Sequence, residues 1–428
     1  MIRPLIAILL ILLPAAAHAA HAACRPGVYG VGGDLVVLGA PAAGADVQRW
    51  LYLDGRRGTT GAESAVRCAG DVVSAGGRHL SRQATIETDT RFASHETRLA
   101  GQLIEPPGPP DPRRPLVVMV HGSEKSPAIG FVYGYALAAQ GISVFVYDKR
   151  GTGASEGSYS QNFELLADDA SAAFAEARRL AAGRFGRAGY FGGSQGGWVA
   201  PLAATRSPAD FVAVGFGLVA SPIDEDRDQL IDDARAAGLD AQATEQVRRL
   251  SAATAAIVTS HFGRGFEALE ALRREIGDAP WAARVDGEYS GAMLRMSDAD
   301  LRRIGRALFD DVGLIWDYDA VAALRRLDAP LLWVLAGEDR EAPIAQTRAA
   351  LLGLAREGRP IDLWLFPGTD HGMVEYRIAP DGARVPTRIT DGYLRLLGDW
   401  IRGAVRGAYG RGELLHAGAP APAAAGAY

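Results

Sequence analysis

Ser194 stands in the run Gly192-Gly193-Ser194-Gln195-Gly196, inside the stretch GYFGGSQGGWVAP. A serine hydroxyl is a poor nucleophile unless a base takes its proton and the chain presents it sharply. Glycines two before and two after the serine suit a tight strand-to-helix turn, which strains the serine backbone and crowds those positions. Tyr190-Phe191 ahead of the turn reads as strand, and Trp198-Val199-Ala200 behind it as a helix start. In a chain with 52 glycines the five-residue pattern says little by itself. Its flanks make Ser194 a nucleophile on an elbow rather than a residue in a glycine loop. The helix start also aims backbone N–H groups at a reacting oxygen.

Such a serine needs a base, and elimination among eight histidines is sharp. His18 and His21 fall in an N-terminal leader and His416 in a C-terminal tail. His79 and His95 precede the sheet, His261 lies in a helical insertion, and His121 ends a strand ahead of the nucleophile. His371, in the run PGTDHGM, alone follows the last core strand. Strand C-terminal ends share one edge of a doubly wound sheet, so His371 can reach Ser194. The third group should orient the imidazole and stabilise its charged form. Asp339, in LAGEDREAP, ends the preceding strand; Glu338 is its nearest rival and Asp370 a weaker one. The oxyanion donors expected are the backbone N–H groups of Gln195 and Ser123, with Gly122 or Glu124 the alternatives one residue away. His121 reads as structural. Losing one such donor raises a barrier by about 2.7–4 kcal/mol.

Around these residues, apolar runs alternate with helical stretches. LVVMVHG, ISVFVYD, AGYFGG, FVAVGFGLVAS, PLLWVLAGED and IDLWLFPGTDHG read as strands, and NFELLADDASAAFAEARRLAA as an amphipathic helix. Continuous apolar strands separated by helices imply an α/β chain with a mostly parallel, doubly wound sheet covered on both faces. Residues 222–326 are helical, charged and strand-poor, the pattern of a cap inserted between a first core part (91–221) and a second (327–407). Residues 24–90 read as a small β-rich module and 408–428 as a disordered Ala/Pro/Gly tail. The run YDKRGTGASEG lacks the phosphate-loop pattern and reads as a turn pinned by Asp148 and Arg150.

The chain has 428 residues, 48% of them hydrophobic, with a net charge of −5 from 45 basic and 50 acidic side chains. Neither sign dominates, which argues against a nucleic-acid binder. Residues 1–23 read as a signal peptide: Arg3, an apolar run from Leu5 to Leu13, Pro14, then Ala17-His18-Ala19. The apolar run is shorter than the roughly 20 residues that span a bilayer, so no stable membrane insertion is expected. A lipoprotein reading of Cys24 fails to find an aliphatic residue where His21 stands. Export to a periplasmic or extracellular compartment makes a disulfide between Cys24 and Cys68, the two cysteines present, a candidate; two free thiols are the alternative.

The motifs HGS, YDKRGTGASEG, GGSQGGWVAP, AGEDREAP and PGTDHG, in that order over residues 90–405, resemble the α/β-hydrolase superfamily. Within it, the chain is similar to secreted serine hydrolases grouped with carboxylesterases and serine aminopeptidases. The resemblance implies acyl transfer to water through an acyl-serine on Ser194, with His371 moving the proton, and no cofactor or metal. In many relatives one more residue separates the glycine from the acid than separates Gly337 from Asp339, which keeps Glu338 in view. The partners expected are a small acyl ester or a short peptide. The cap aromatics Phe262, Trp281, Tyr289 and Trp316 are candidates to line an acyl site. A peptidase needs a carboxylate near the serine, and Glu124, Asp224 and Glu225 are the candidates. The sequence favours an ester hydrolase, with a peptidase second and a non-catalytic binding protein on the same fold as the reading from a different class.

Overall fold

The computed structural model describes residues 23–41, 47–61, 63–69 and 72–418. The leader therefore lies outside the described residues, apart from position 23. The core is a nine-stranded sheet. Its strands, in chain order, are β1 (Ile86–Ser94), β2 (Thr97–Glu105), β3 (Pro115–Val120), β4 (Ser143–Tyr147), β5 (Arg187–Gly193), β6 (Phe211–Gly215), β7 (Leu331–Ala336), β8 (Ile361–Phe366) and β9 (Glu413–His416). Their spatial order is β9-β8-β7-β6-β5-β3-β4-β2-β1. β3 to β8 run parallel, and antiparallel strands close both edges.

The side-chain alternation of a strand explains the two-sided core. Leu116, Val118 and Val120 join Phe145 and Tyr147 in one apolar cluster; Val117, Val144 and Val146 join another on the opposite face. The first cluster is covered by the helix Phe163–Leu180. Asn162 caps that helix by accepting a hydrogen bond from the Leu165 N–H, and it buries Phe163, Leu166, Ala167, Ala170, Phe174 and Ala177 at helical spacing. Burying a side chain such as Phe174 contributes about 1.5–3 kcal/mol.

Four expectations about segments change. Ile86–Ser94 is not part of the small β module; it pairs residue for residue with β2 in the main sheet. The tail is not wholly disordered, because Glu413–His416 pairs with β8; residues 419–428 lie outside the described residues. The run from 211 to 221 is strand only to Gly215, after which Phe216 takes a positive φ of 44°. The cap also ends earlier than 326. Trp316 belongs to the cap's own core, whereas Tyr318, Ala320, Ala323 and Leu324 pack into the sheet core.

The N-terminal module consists of two small antiparallel sheets. Val36 and Leu38 pack inside it with Tyr29, Val66 and Leu80, while Val28, Val37 and Leu51 pack into the core of the main sheet. Cys24 and Cys68 are joined by a disulfide. A hairpin unforeseen from sequence, Val374–Ile378 with Arg384–Ile389, follows His371 and meets the module through the Ile389 N–H to Gly55 carbonyl bond.

Candidate active site

Ser194 directly follows β5, at the C-terminal edge of the parallel strands, with the helix Gly196–Arg206 behind it. Its φ is +53°, a left-handed conformation that costs a non-glycine residue energy and is typical of strained functional turns. Both glycine positions are crowded. A Cβ on Gly192 would stand 2.3 Å from the Gly196 carbonyl oxygen, and one on Gly196 would stand 2.9 Å from that of Val120.

His371 follows β8 and Asp339 follows β7. The imidazole Nε2 is 3.1 Å from Ser194 Oγ, and Nδ1 is 3.0 and 3.2 Å from the two Asp339 oxygens. An Nδ1–H that donates to the carboxylate leaves Nε2 free to accept the serine proton. The Asp339 carboxylate is fully buried and also accepts the Ala342 N–H at 2.8 Å, which fixes its direction. Glu338 turns instead to Tyr376 and Arg384. Asp370 is held by Arg384 and by the Arg340 and His371 N–H groups. The structure thus brings Asp339, and neither rival, to the ring of His371. Burial works against protonation of His371, but the Asp339 hydrogen bond and charge, with Glu341 and Asp370, raise its pKa above the ordinary value.

The N–H groups of Gln195 and Ser123 have no acceptor among the described residues. His121 is buried edge-on against Tyr147, and burial with the Lys149 charge lowers its pKa to about 3. It stays neutral and does not compete as a base. His95 and His261 are engaged with Asp168 and Asp310.

Lys149 went unrecognised in the sequence. Asp148 does pin its turn, accepting the Ala128, Ile129 and Ala154 N–H groups, and Arg150 makes a buried two-bond pair with Asp169. Between them the Lys149 ammonium turns inward. It donates to the carbonyls of Gly122 at 2.6 Å and Glu124 at 3.3 Å, and lies 3.5 Å from Gln195 Oε1. The Gly122 carbonyl belongs to the peptide whose N–H is that of Ser123. A cation on that oxygen polarises the N–H and holds the loop beside Ser194. Burial, partly offset by Glu124, lowers the Lys149 pKa to about 8. Lys149→Met should lower kcat/KM by about 10–100-fold, the worth of a charged hydrogen bond. Because the ammonium is lost as pH rises, the wild type should show an alkaline limb near pH 8 that Lys149→Arg removes. A pH–rate profile with no such limb would contradict this.

A cavity of about 270 Å³ lies between Ser194 and the cap. Trp198, Leu218, Phe309, Leu314 and Trp316 form apolar walls, and Glu225, Glu288 and Glu341 also line it. Of the four cap aromatics, Tyr289 and Trp316 reach this cavity, while Trp281 is cap core and Phe262 packs against that core. Asp224 is turned away to Ser221 and Arg227. Glu288 and Glu341 lacked any signal in the sequence, because only tertiary folding brings them to Ser194. No helix among the described residues is long and apolar enough to cross a membrane.

This sheet order, the elbow after β5 and the helical insertion after β6 are those of the α/β-hydrolase fold. Residues 111–250 match the family model described as serine aminopeptidase, S33. No curated protein matches the chain. Similar solved structures include an esterase of Pyrococcus furiosus, at 13% identity over 67% of this chain and 83% of that one, with a TM-score of 0.43. An acylaminoacyl peptidase of Pyrococcus horikoshii is 14% identical over 81% and 46%, with a TM-score of 0.42. A proline iminopeptidase of Mycobacterium smegmatis is 20% identical over 66% and 91%, with a TM-score of 0.39.

Proposed function

We propose that this chain is an exported serine hydrolase that cleaves an ester or amide whose acyl half carries a protonated amine. The observation that carries the reading is the Asp339–His371–Ser194 hydrogen-bonded line beside a cavity bearing three carboxylates. Ser194 Oγ bonds to the acyl carbon as its proton passes to His371 Nε2. The carbonyl oxygen takes up negative charge opposite the Gln195 and Ser123 N–H groups. The acyl carbon then parts from its nitrogen or oxygen leaving atom, which receives the Nε2 proton. Water repeats the sequence: it gives a proton to Nε2, its oxygen bonds to the acyl carbon, and Oγ leaves and regains a proton.

Glu225 is the residue we assign to the amine. Burial, reinforced by the charges of Glu288, Glu341, Asp339 and Asp226, raises its pKa well above the carboxylate range. An ammonium entering the cavity would oppose that shift and favour the ionised carboxylate. L-alanyl 4-nitroanilide should be cleaved at least about 10-fold faster than its N-acetyl form, and Glu225→Gln should shrink that ratio by about 10–100-fold, the worth of a charged contact. The apolar walls support a second reading, hydrolysis of neutral carboxylic esters. Equal rates on both anilides, with faster turnover of neutral nitrophenyl esters, would favour it. The leader sequence and the Cys24–Cys68 disulfide support export, since such bonds persist in oxidising compartments.

A further inference from the structure

The N-terminal module carries no member of the hydrogen-bonded line, yet it reaches Ser194. A second cavity, of about 480 Å³, is lined by Ser194, His371, Phe131, Tyr133, Arg49 and Arg57, the last two from the module. Arg49 lies in the strand Gln48–Tyr52 and Arg57 in Arg57–Thr59. Arg49 pairs with Thr59 and Leu51 with Arg57, so the two arginines are diagonal neighbours on one face of the hairpin. Neither makes an ion pair or a side-chain hydrogen bond among the described residues; Arg49 lies over the Phe131 ring at 5.9 Å. The Tyr133 hydroxyl also has no partner among them.

Two like charges side by side destabilise a hairpin unless something offsets them. Glu124 and Glu341 line the same cavity. Glu124 crowds Gly122 next to Ser194, and Glu341 lies 3.6 Å from His371 Nε2. Burial lowers the Arg57 pKa, Tyr133 opposes this and the Arg49 charge adds to it, as expected for cations lacking an anion. The two arginines and the Tyr133 hydroxyl are therefore donors on this cavity with no acceptor of their own among the described residues.

His371 lines this cavity and not the one beneath the cap. The ring that returns a proton to the leaving atom thus borders the cavity that the arginines line. We infer that Arg49, Arg57 and the Tyr133 hydroxyl form a subsite for a carboxylate on the leaving-group half of the substrate. This rests on Ser194 being the nucleophile. It gives the module a role in selectivity: a substrate with an amine at its acyl end and a carboxylate at its leaving end spans both cavities.

The test uses the full chain, with protection of Ser194 against a fluorophosphonate as readout. 4-Hydroxybenzoate and 4-hydroxybenzamide, which differ in the carboxylate, are the competing probes. The benzoate should halve the labelling rate at a concentration at least 10-fold lower than the benzamide. Arg49→Gln and Arg57→Gln should each shrink that preference, the double variant should abolish it, and added salt should weaken it in the wild type. Each variant is referred to its own unprotected rate, with near-UV circular dichroism reporting folding. Equal protection by the two probes in the wild type, or a preference surviving in the folded double variant, overturns the subsite. Failure of the wild type to label at all overturns the nucleophile itself, a distinguishable result.

Discussion

Ser194→Ala should reduce turnover of 4-nitrophenyl acetate by roughly 10³–10⁶-fold, the range seen when a serine hydrolase loses its nucleophile. Three features place the chemistry at Ser194. The Oγ is the atom 3.1 Å from His371 Nε2. The backbone of Ser194 is held in a left-handed turn by the elbow. The N–H groups of Gln195 and Ser123 lie in the turns beside it, on the residue after Ser194 and in the loop after β3. Alanine removes the first feature and leaves the other two. Residual activity above water should therefore survive, because oxyanion stabilisation and substrate binding persist. Steady-state kinetics on purified protein checks the loss, and an unchanged rate would move the chemistry away from the elbow.

Asp339→Asn should cost about 10⁴-fold in kcat, by analogy with other triads in which the same change leaves geometry intact. An asparagine amide can offer its NH₂ to His371 Nδ1. The ring then carries its hydrogen on Nε2 and cannot accept the serine proton. The amide oxygen still accepts the Ala342 N–H, so the loop after β7 keeps its anchor. The pH profile separates this from misfolding. In the wild type, kcat/KM should fall on the acid side with an apparent pKa above the ordinary histidine value, because protonated His371 is not a base and Asp339 favours that form. Replacing the Asp339 carboxylate takes away the hydrogen bond and the charge that raise the pKa most, and burial then lowers it. The acid limb should therefore shift to lower pH in Asp339→Asn. An unshifted limb would show that Asp339 does not govern His371.

The parts of the molecule legible in sequence are those where local chemistry and local structure agree. The buried strands of the sheet are continuous apolar runs, and Gly192 and Gly196 mark the turn that needs them. Gly193 was not explained by the motif; the structure supplies the reason, since a Cβ there would stand 2.7 Å from the Phe216 ring. β9 was obscured because Glu413-Leu414-Leu415-His416 is only four residues long and adjoins a tail rich in alanine, proline and glycine. The hairpin after His371 was obscured because it is exposed and holds Pro386, a residue confined to edge strands. Choosing Asp339 over Glu338 needed three dimensions, since adjacent residues differ only in where their carboxylates point. Lys149, Glu288, Glu341, Arg49 and Arg57 share a further limit. A charged side chain on a loop, strand or helix looks like ordinary surface until packing shows which cavity it faces.

One measurement bears on the central claim most directly: stoichiometric fluorophosphonate labelling of the folded chain, with the modified residue located by peptide mass spectrometry. One label per chain is expected, on Ser194, lost in Ser194→Ala and formed more slowly in Asp339→Asn. Folded protein that resists labelling, or that carries its label on any other residue, would contradict it.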